Sequence, residues 1–339
     1  MFNTIAIAGA TGAVGTEMCR LINERYISAD HIRLLASARS AGKVLNVGGR
    51  NIKVEELTHE SFDGVDLALF SAGGSRSTEF APSAVKSNAI VIDNSSAYRM
   101  DPDVPLVVPE VNPEDALEHK GIIANPNCST IIMAVAIAPL HRANPIRRIV
   151  VSTYQSASGA GAQAMAELEN QSRDILAGKP ANPTVFPHPI AFNLFCHNSP
   201  LDETGYNTEE KKMMLETRKI LHAPDLAISA TCVRVPVLRA HSEAVNLTFQ
   251  SRITPQQVRD ILEVAPGIRL VDDRKNARFP MPIEASGQDD VLVGHIRQDL
   301  SQPDGNGIDL FISGDQILKG AALNAVQIAQ LLSAKAAAR

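Results

Sequence analysis

Thr4-Ile5-Ala6-Ile7-Ala8-Gly9-Ala10-Thr11-Gly12-Ala13-Val14-Gly15 stands almost at the start of the chain, and the amphipathic run Thr16-Glu17-Met18-Cys19-Arg20-Leu21-Ile22 follows it. A short apolar strand, a glycine loop and a helix in that order bring backbone N–H groups up to a phosphate. Gly9 can take the tight turn, Gly12 lets the backbone approach a ligand, and Gly15 allows close packing of helix on strand. The spacing is G-x-x-G-x-x-G rather than G-x-G-x-x-G. A glycine triplet alone also describes an ordinary strand-to-helix turn; its place between a strand and a helix makes it a dinucleotide signal. Apolar segments at 32–36, 66–70, 89–93 and 121–124 extend the pattern to a doubly wound parallel sheet. The loops Ser71-Ala72-Gly73-Gly74-Ser75 and Asn94-Ser95-Ser96-Ala97-Tyr98-Arg99 fall at carboxyl ends of these strands, where such sheets hold ligands. Segment 32–36 runs into Ser37-Ala38-Arg39-Ser40-Ala41-Gly42-Lys43. This stretch offers no carboxylate for a ribose 2′-hydroxyl but has an arginine between hydroxyls, which suits a 2′-phosphate and favours NADP. Lys43 reads equally well as a solvated loop residue.

The length of 339 residues implies two domains. Apolar residues make up 45 % and charged residues 20 %, as in soluble globular chains. The net charge of -5 and the lack of a basic tract argue against nucleic acid. No apolar run approaches the ~20 residues of a membrane span, and the N-terminus reads as a first strand rather than a leader, so a cytoplasmic protein is expected. Cys19, Cys128, Cys196 and Cys232 are widely spaced, which argues against a zinc site or a disulfide framework.

Cys128 lies in Ala124-Asn125-Pro126-Asn127-Cys128-Ser129-Thr130, ahead of a long apolar run. Pro126 and Asn127 interrupt what precedes them, so the cysteine falls at a helix N-terminus, where unpaired N–H groups and the dipole favour a thiolate nucleophile. The plainer reading is a small buried hydrophobe, the common state of a free cysteine. Residues 148–154 read as a strand ending in Gln155-Ser156-Ala157-Ser158-Gly159-Ala160-Gly161. Helical patterns at 162–176 and 209–221, and strands at 227–236, 244–251 and 307–313, describe an α+β domain with a mostly antiparallel sheet. Arg234 and His241 flank a short bend, with His241 just outside a strand; a histidine there can serve as a base or simply be a surface or satisfied core group. Residues 182–199, rich in proline and phenylalanine, read as a loop packed against something. Residues 319–329 form an amphipathic helix expected to return to the first domain. The expected boundaries are thus 1–127 with the helix 318–339 for dinucleotide binding, and 128–317 for catalysis and dimerisation.

Together, Gly9 to Gly15, Asn125-Pro126-Asn127-Cys128, Gln155 to Gly161, Arg234-Val235-Pro236-Val237-Leu238-Arg239-Ala240-His241-Ser242 and Lys319 to Ala329 resemble the aspartate-semialdehyde dehydrogenase family across nearly the whole chain. The resemblance implies reduction of L-aspartyl 4-phosphate by NADPH to L-aspartate 4-semialdehyde and phosphate. This step leads toward lysine or diaminopimelate, threonine, methionine and isoleucine. It implies Cys128 as the nucleophile that forms a thioester, His241 as acid and base, and Gln155 orienting the acyl group. Arg234 is expected to clamp the α-carboxylate and Glu209 the ammonium group, with Arg99, Lys212 and Asn127 on the phosphate. The cofactor is expected at Gly9, Thr11, Gly12, Ala13, Val14, Ser37, Arg39, Ser40, Ser71, Gly73, Ser158, Gly159 and Gln316. No metal is expected, and a homodimer or a tetramer is.

Two departures stand out. Gly314-Asp315-Gln316 replaces the family's usual Gly-Asp-Asn, so Gln316 must reach the nicotinamide amide with one extra methylene. Residues 191–198 keep the family's start but not its end, so Cys196 and His197 receive no role. An N-acetyl-glutamyl-phosphate reductase shares fold and chemistry, but its thiol usually follows Pro-Gly and its substrate has no free ammonium for Glu209. A non-catalytic paralogue would be expected to lose the thiol or the histidine. The Ser-Cys-Thr-Thr-Asn run of a glyceraldehyde-3-phosphate dehydrogenase is absent.

Overall fold

The computed structural model describes residues 2–22 and 29–337, and the chain divides into two compact units, residues 1–127 with 320–339 and residues 128–319. In chain order the first unit carries β1 (Thr4–Ala8), α1 (Ala13–Leu21), β2 (His31–Ala36), β3 (Val44–Val47), β4 (Arg50–Glu56), β5 (Leu67–Phe70), α2 (Gly74–Lys86), β6 (Ile90–Asp93) and β7 (Ile122–Ala124). The second carries α3 (Cys128–Ala143), β8 (Ile146–Gln155), α4 (Ala162–Leu176), β9 (Phe195–Cys196), α5 (Thr208–Ile220), β10 (Ala227–Arg234) and β11 (His241–Phe249). It continues with α6 (Pro255–Glu263), β12 (Ile268–Leu270), α7 (Pro282–Ala285), β13 (Val291–Gln298) and β14 (Gly307–Gly314). A π-helical turn at Leu318–Ala322 leads into α8 (Leu323–Ala337), which belongs to the first unit.

The first sheet has the order β3-β4-β2-β1-β5-β6-β7 among the described residues. All its pairings are parallel except β3 with β4. Without β3, this is the order of dinucleotide-binding folds, with the crevice where strand order reverses between β1 and β5. The central strands are buried on both faces, which is why 4–8, 67–70 and 90–93 read as continuous apolar runs. α8 closes one face: Asn324 Nδ2 donates to Val107 O at 3.0 Å and to Asn125 Oδ1 at 2.7 Å. Its first turns are almost wholly buried, so it is less amphipathic than the sequence suggests.

The second sheet has the order β12-β13-β14-β11-β8-β10-β9. Most of its ladders are antiparallel; β8 with β10 and β12 with β13 are parallel. α3 is apolar all round because it is buried all round. Segment 182–199 is indeed packed: Phe186, Ile190 and Ala191 lie against Ala164 and Leu168 of α4, and its end supplies the short strand β9.

Candidate active site

Three strand ends of the second sheet converge. β8 and β10 run parallel with Gln155 opposite Arg234, so both end at one edge. β11 runs antiparallel to β8, so its first residue, His241, begins at that same edge. His241 is therefore the start of a strand rather than a residue outside one, and it is 1 % exposed. It is a core group, not the loosely packed bend residue that sequence position suggests.

The Nδ1 atom of His241 accepts the Ser156 N–H at 3.0 Å, and the Ser156 hydroxyl lies 3.1 Å from it. Nδ1 is thus an acceptor, and the neutral ring holds its proton on Nε2. The Ser156 hydroxyl is 2.9 Å from that of Ser158, to which Gln316 Nε2 donates, while Gln316 Oε1 accepts the Ala240 N–H at 2.8 Å. Ser158 and Gln316 thereby brace the histidine from behind. Gly159 is where the chain passes its reactive edge: a Cβ there would stand 2.7 Å from Arg234 Nη1 and 3.0 Å from His241 Nε2. Burial, reinforced by the charge of Arg234, pushes the His241 pKa down to about 3.

Arg234 is also buried. Nη1 donates to Ser156 O at 3.1 Å and Nη2 to His197 Nε2 at 2.8 Å, whereas the buried Nε–H has no partner. Burial lowers the arginine pKa, and the charges of Glu209 and Cys128 oppose that shift, which places all three groups within electrostatic reach. Gln155 Nε2 donates to Ser129 Oγ at 2.8 Å and to Glu209 Oε1 at 3.3 Å; its Oε1 is buried without a partner. Glu209 sits in the first turn of α5, whose N-cap is Asn207, and Lys212 Nζ reaches its Oε2 at 3.1 Å. The second unit therefore gathers Cys128 at the start of α3 with Gln155, Glu209, Lys212, Arg234 and His241. The unsatisfied donor on Arg234 and acceptor on Gln155 are what a bound carboxylate and a bound donor would each relieve.

Cys19 and Cys232 are buried, and burial pushes Cys19 up to about 12 and Cys232 upward as well, which keeps both as thiols. Among the described residues no group of three or more His, Cys, Asp or Glu could hold a metal ion.

In the first unit, Gly9, Thr11, Gly12, Ser37, Arg39 and Ser71 line a cavity of about 450 Å³, together with Glu56 and Arg76, which sequence reasoning did not single out. Gly9 has φ +88°, and a Cβ there would run into the Ser71 carbonyl; one at Gly15 would run into the carbonyl of Gly9. Ala13 and Val14 open α1, and Gly73 precedes α2. Neither helix has a side-chain cap or an acid in its first turn, so both N-termini present bare N–H groups. Ser40 is buried behind the loop, whereas Arg39 is exposed on it. The cavity, the bare helix starts and the guanidinium fit a phosphate-bearing dinucleotide; Glu56 is the one carboxylate in the lining. Arg99 is tied to backbone, with Nε on Asn125 O at 2.9 Å and Nη2 on Asn94 O at 2.7 Å, and Asn127 is buried in this unit too.

Residues 4–119 match the model of the NAD-binding domain of semialdehyde dehydrogenases, and residues 137–319 that of their dimerisation domain. The aspartate-semialdehyde dehydrogenase of Synechocystis is 58 % identical over 328 residues, covering 97 % of this chain and 96 % of its own length. The crystal structure of aspartate-semialdehyde dehydrogenase II from Vibrio cholerae complexed with ASA superposes with a TM-score of 0.94 at 46 % identity, covering 98 % of both chains. That of the Candida albicans enzyme with NADP gives 0.77 at 25 % identity, covering 99 % of both.

Proposed function

The chain belongs to the aspartate-semialdehyde dehydrogenase family, and we propose that it converts L-aspartyl 4-phosphate to L-aspartate 4-semialdehyde and phosphate through a thioester on Cys128, with NADPH as reductant. One observation carries this reading: a cysteine at a helix start, a neutral histidine and the charged set Arg234, Glu209 and Lys212 meet at one sheet edge. A substrate with a carboxylate, an ammonium and a phosphate finds an opposite charge for each.

Arg234 takes the α-carboxylate with its open N–H groups, Glu209 the ammonium, and Gln155 orients the acyl group. Cys128 attacks the acyl carbon; the C–S bond forms, the acyl C–O bond to phosphate breaks, and phosphate leaves toward Lys212. Arg99 and Asn127 are further residues proposed for phosphate. Bound NADPH supplies the hydride that turns the thioester into a thiohemiacetal. His241 donates from Nε2 to the oxygen that carries charge in the tetrahedral species. When that species collapses, the C–S bond breaks, the aldehyde leaves and the thiolate is restored. The Ser156 N–H holds Nδ1 as an acceptor, so the ring keeps its proton on Nε2, and Cys128 enters the reverse direction as the thiolate favoured at a helix start.

NADP is favoured over NAD by Arg39 at the cavity and by the NADP-bound Candida relative. The residues proposed to hold it are Gly9, Thr11, Gly12, Ala13, Val14, Ser37, Arg39, Ser40, Ser71 and Gly73, with Ser158, Gly159 and Gln316 proposed for the nicotinamide. A homodimer formed through the second unit follows from the matched dimerisation domain. The free state of all four cysteines suits a reducing cytoplasm. The reaction serves amino-acid biosynthesis toward lysine or diaminopimelate, threonine, methionine and isoleucine. The direct test adds protein to NADP, phosphate and L-aspartate semialdehyde and follows NADPH absorbance. A rise that requires phosphate and is slower with NAD is expected. No rise, with activity instead on N-acetyl-glutamate semialdehyde, would overturn the reading.

A further inference from the structure

β9 adds to the end of β10 with Phe195 opposite Arg234 and Cys196 opposite Val233, and the next N–H, of His197, donates to Cys232 O at 2.8 Å. This delivers His197 to Arg234, whose Nη2 lies 2.8 Å from His197 Nε2. A guanidinium only donates, so Nε2 must present its lone pair and the ring proton sits on Nδ1. Nδ1 meets the Ser199 hydroxyl at 3.1 Å. With its proton on Nδ1 the ring cannot also accept the Ser199 N–H, which lies farther off at 3.3 Å. The Ser199 hydroxyl donates to Asn207 Oδ1 at 3.3 Å and accepts the Glu209 N–H at 3.1 Å. A continuous chain of bonds thus runs from the guanidinium through His197 and Ser199 to the N-cap of the helix that carries Glu209 and Lys212.

We propose that His197 is a positioning residue that fixes the Arg234 fork, with its unpartnered Nε–H, for the substrate α-carboxylate and ties it to the α5 start that receives the ammonium. The inference rests on the reading of Arg234 as the carboxylate clamp. The charged or titratable groups that act on His197 are Arg234, Glu209 and Lys212, with His241 close by. Burial first, then Arg234, pushes the ring down to about 4, so it stays neutral and accepting at working pH. Once protonated it can no longer accept from Arg234, and it places a second cation beside the first.

The test compares wild type, His197→Ala, His197→Gln and Arg234→Lys on L-aspartate semialdehyde and on 3-aminopropanal, which keeps the amine and aldehyde but lacks the carboxylate. His197→Ala should raise KM for aspartate semialdehyde about tenfold, as loss of one bond to a charged group predicts. It should change kcat little and leave 3-aminopropanal kinetics unchanged, so discrimination between the two aldehydes falls by the same factor. His197→Gln should restore most of it, because an amide can accept from Arg234 and donate to Ser199. Unchanged discrimination in His197→Ala, or an equal loss on both aldehydes, would overturn the proposal. Arg234→Lys reports separately: if it keeps wild-type discrimination, the clamp itself is misassigned.

Discussion

In the proposed reaction His241 acts as a neutral ring, and its surroundings would set the pH range in which it works. Its pKa lies near 3 because it is buried and faces Arg234. The acid limb of kcat/KM, which reports the free enzyme, is therefore expected well below the ordinary histidine value. A substrate carboxylate on Arg234 offsets the positive charge that lowers this pKa, so the acid limb of kcat, which reports the complex, should lie at higher pH. His241→Asn keeps a donor and an acceptor but cannot titrate near neutrality; it should lower kcat roughly 10²–10⁴-fold and remove the limb. pH–rate profiles of the two proteins check this. A variant with near-normal kcat and an intact limb would leave His241 a brace only.

The elements show why some of this was legible in sequence and some was not. The glycine loop, β1, β5 and β6 announce themselves because a parallel strand buried on both faces is continuously apolar. Cys128 at the start of α3 was legible because Pro126 breaks the chain just before a buried helix. The β3–β4 hairpin was not, because both strands are largely exposed and carry no alternation. The His197 contact was not legible either: it depends on β9, two residues long, docking on β10 from far along the chain. Where β2 ends, the loop places Arg39 at the cavity, which yields a prediction. Arg39→Ala should raise KM for NADPH about tenfold or more while changing that for NADH much less, since only the former offers a phosphate to a guanidinium. Steady-state kinetics with both cofactors decide it, and equal effects would remove Arg39 from the 2′-phosphate. Glu56 in the same lining sharpens the comparison, because a carboxylate opposes that phosphate.

For the molecule as a whole, the buried histidines link folding to pH. The ordinary histidine value is 6.5, and the folded values are about 3 for His241 and about 4 for His197. Between those limits the unfolded chain binds more protons than the folded one, so stability is fully present above about pH 6.5 and falls as the pH drops toward 3. The slope from His241 alone is up to ~1.4 kcal/mol per pH unit. Urea unfolding at pH 7 and pH 5 should show a loss of stability in wild type that His241→Asn reduces. The same loss in both would show that the ring is not held neutral.

Mixing enzyme with NADP and L-aspartate semialdehyde without phosphate tests for the proposed covalent aspartyl thioester on Cys128. A burst of NADPH up to one per active site is expected, with one aspartyl group added to the peptide that carries Cys128, released when phosphate is supplied. Cys128→Ala should show neither burst nor adduct while still binding NADP. Steady turnover by Cys128→Ala, or an adduct on another residue, would rule out a thioester on Cys128.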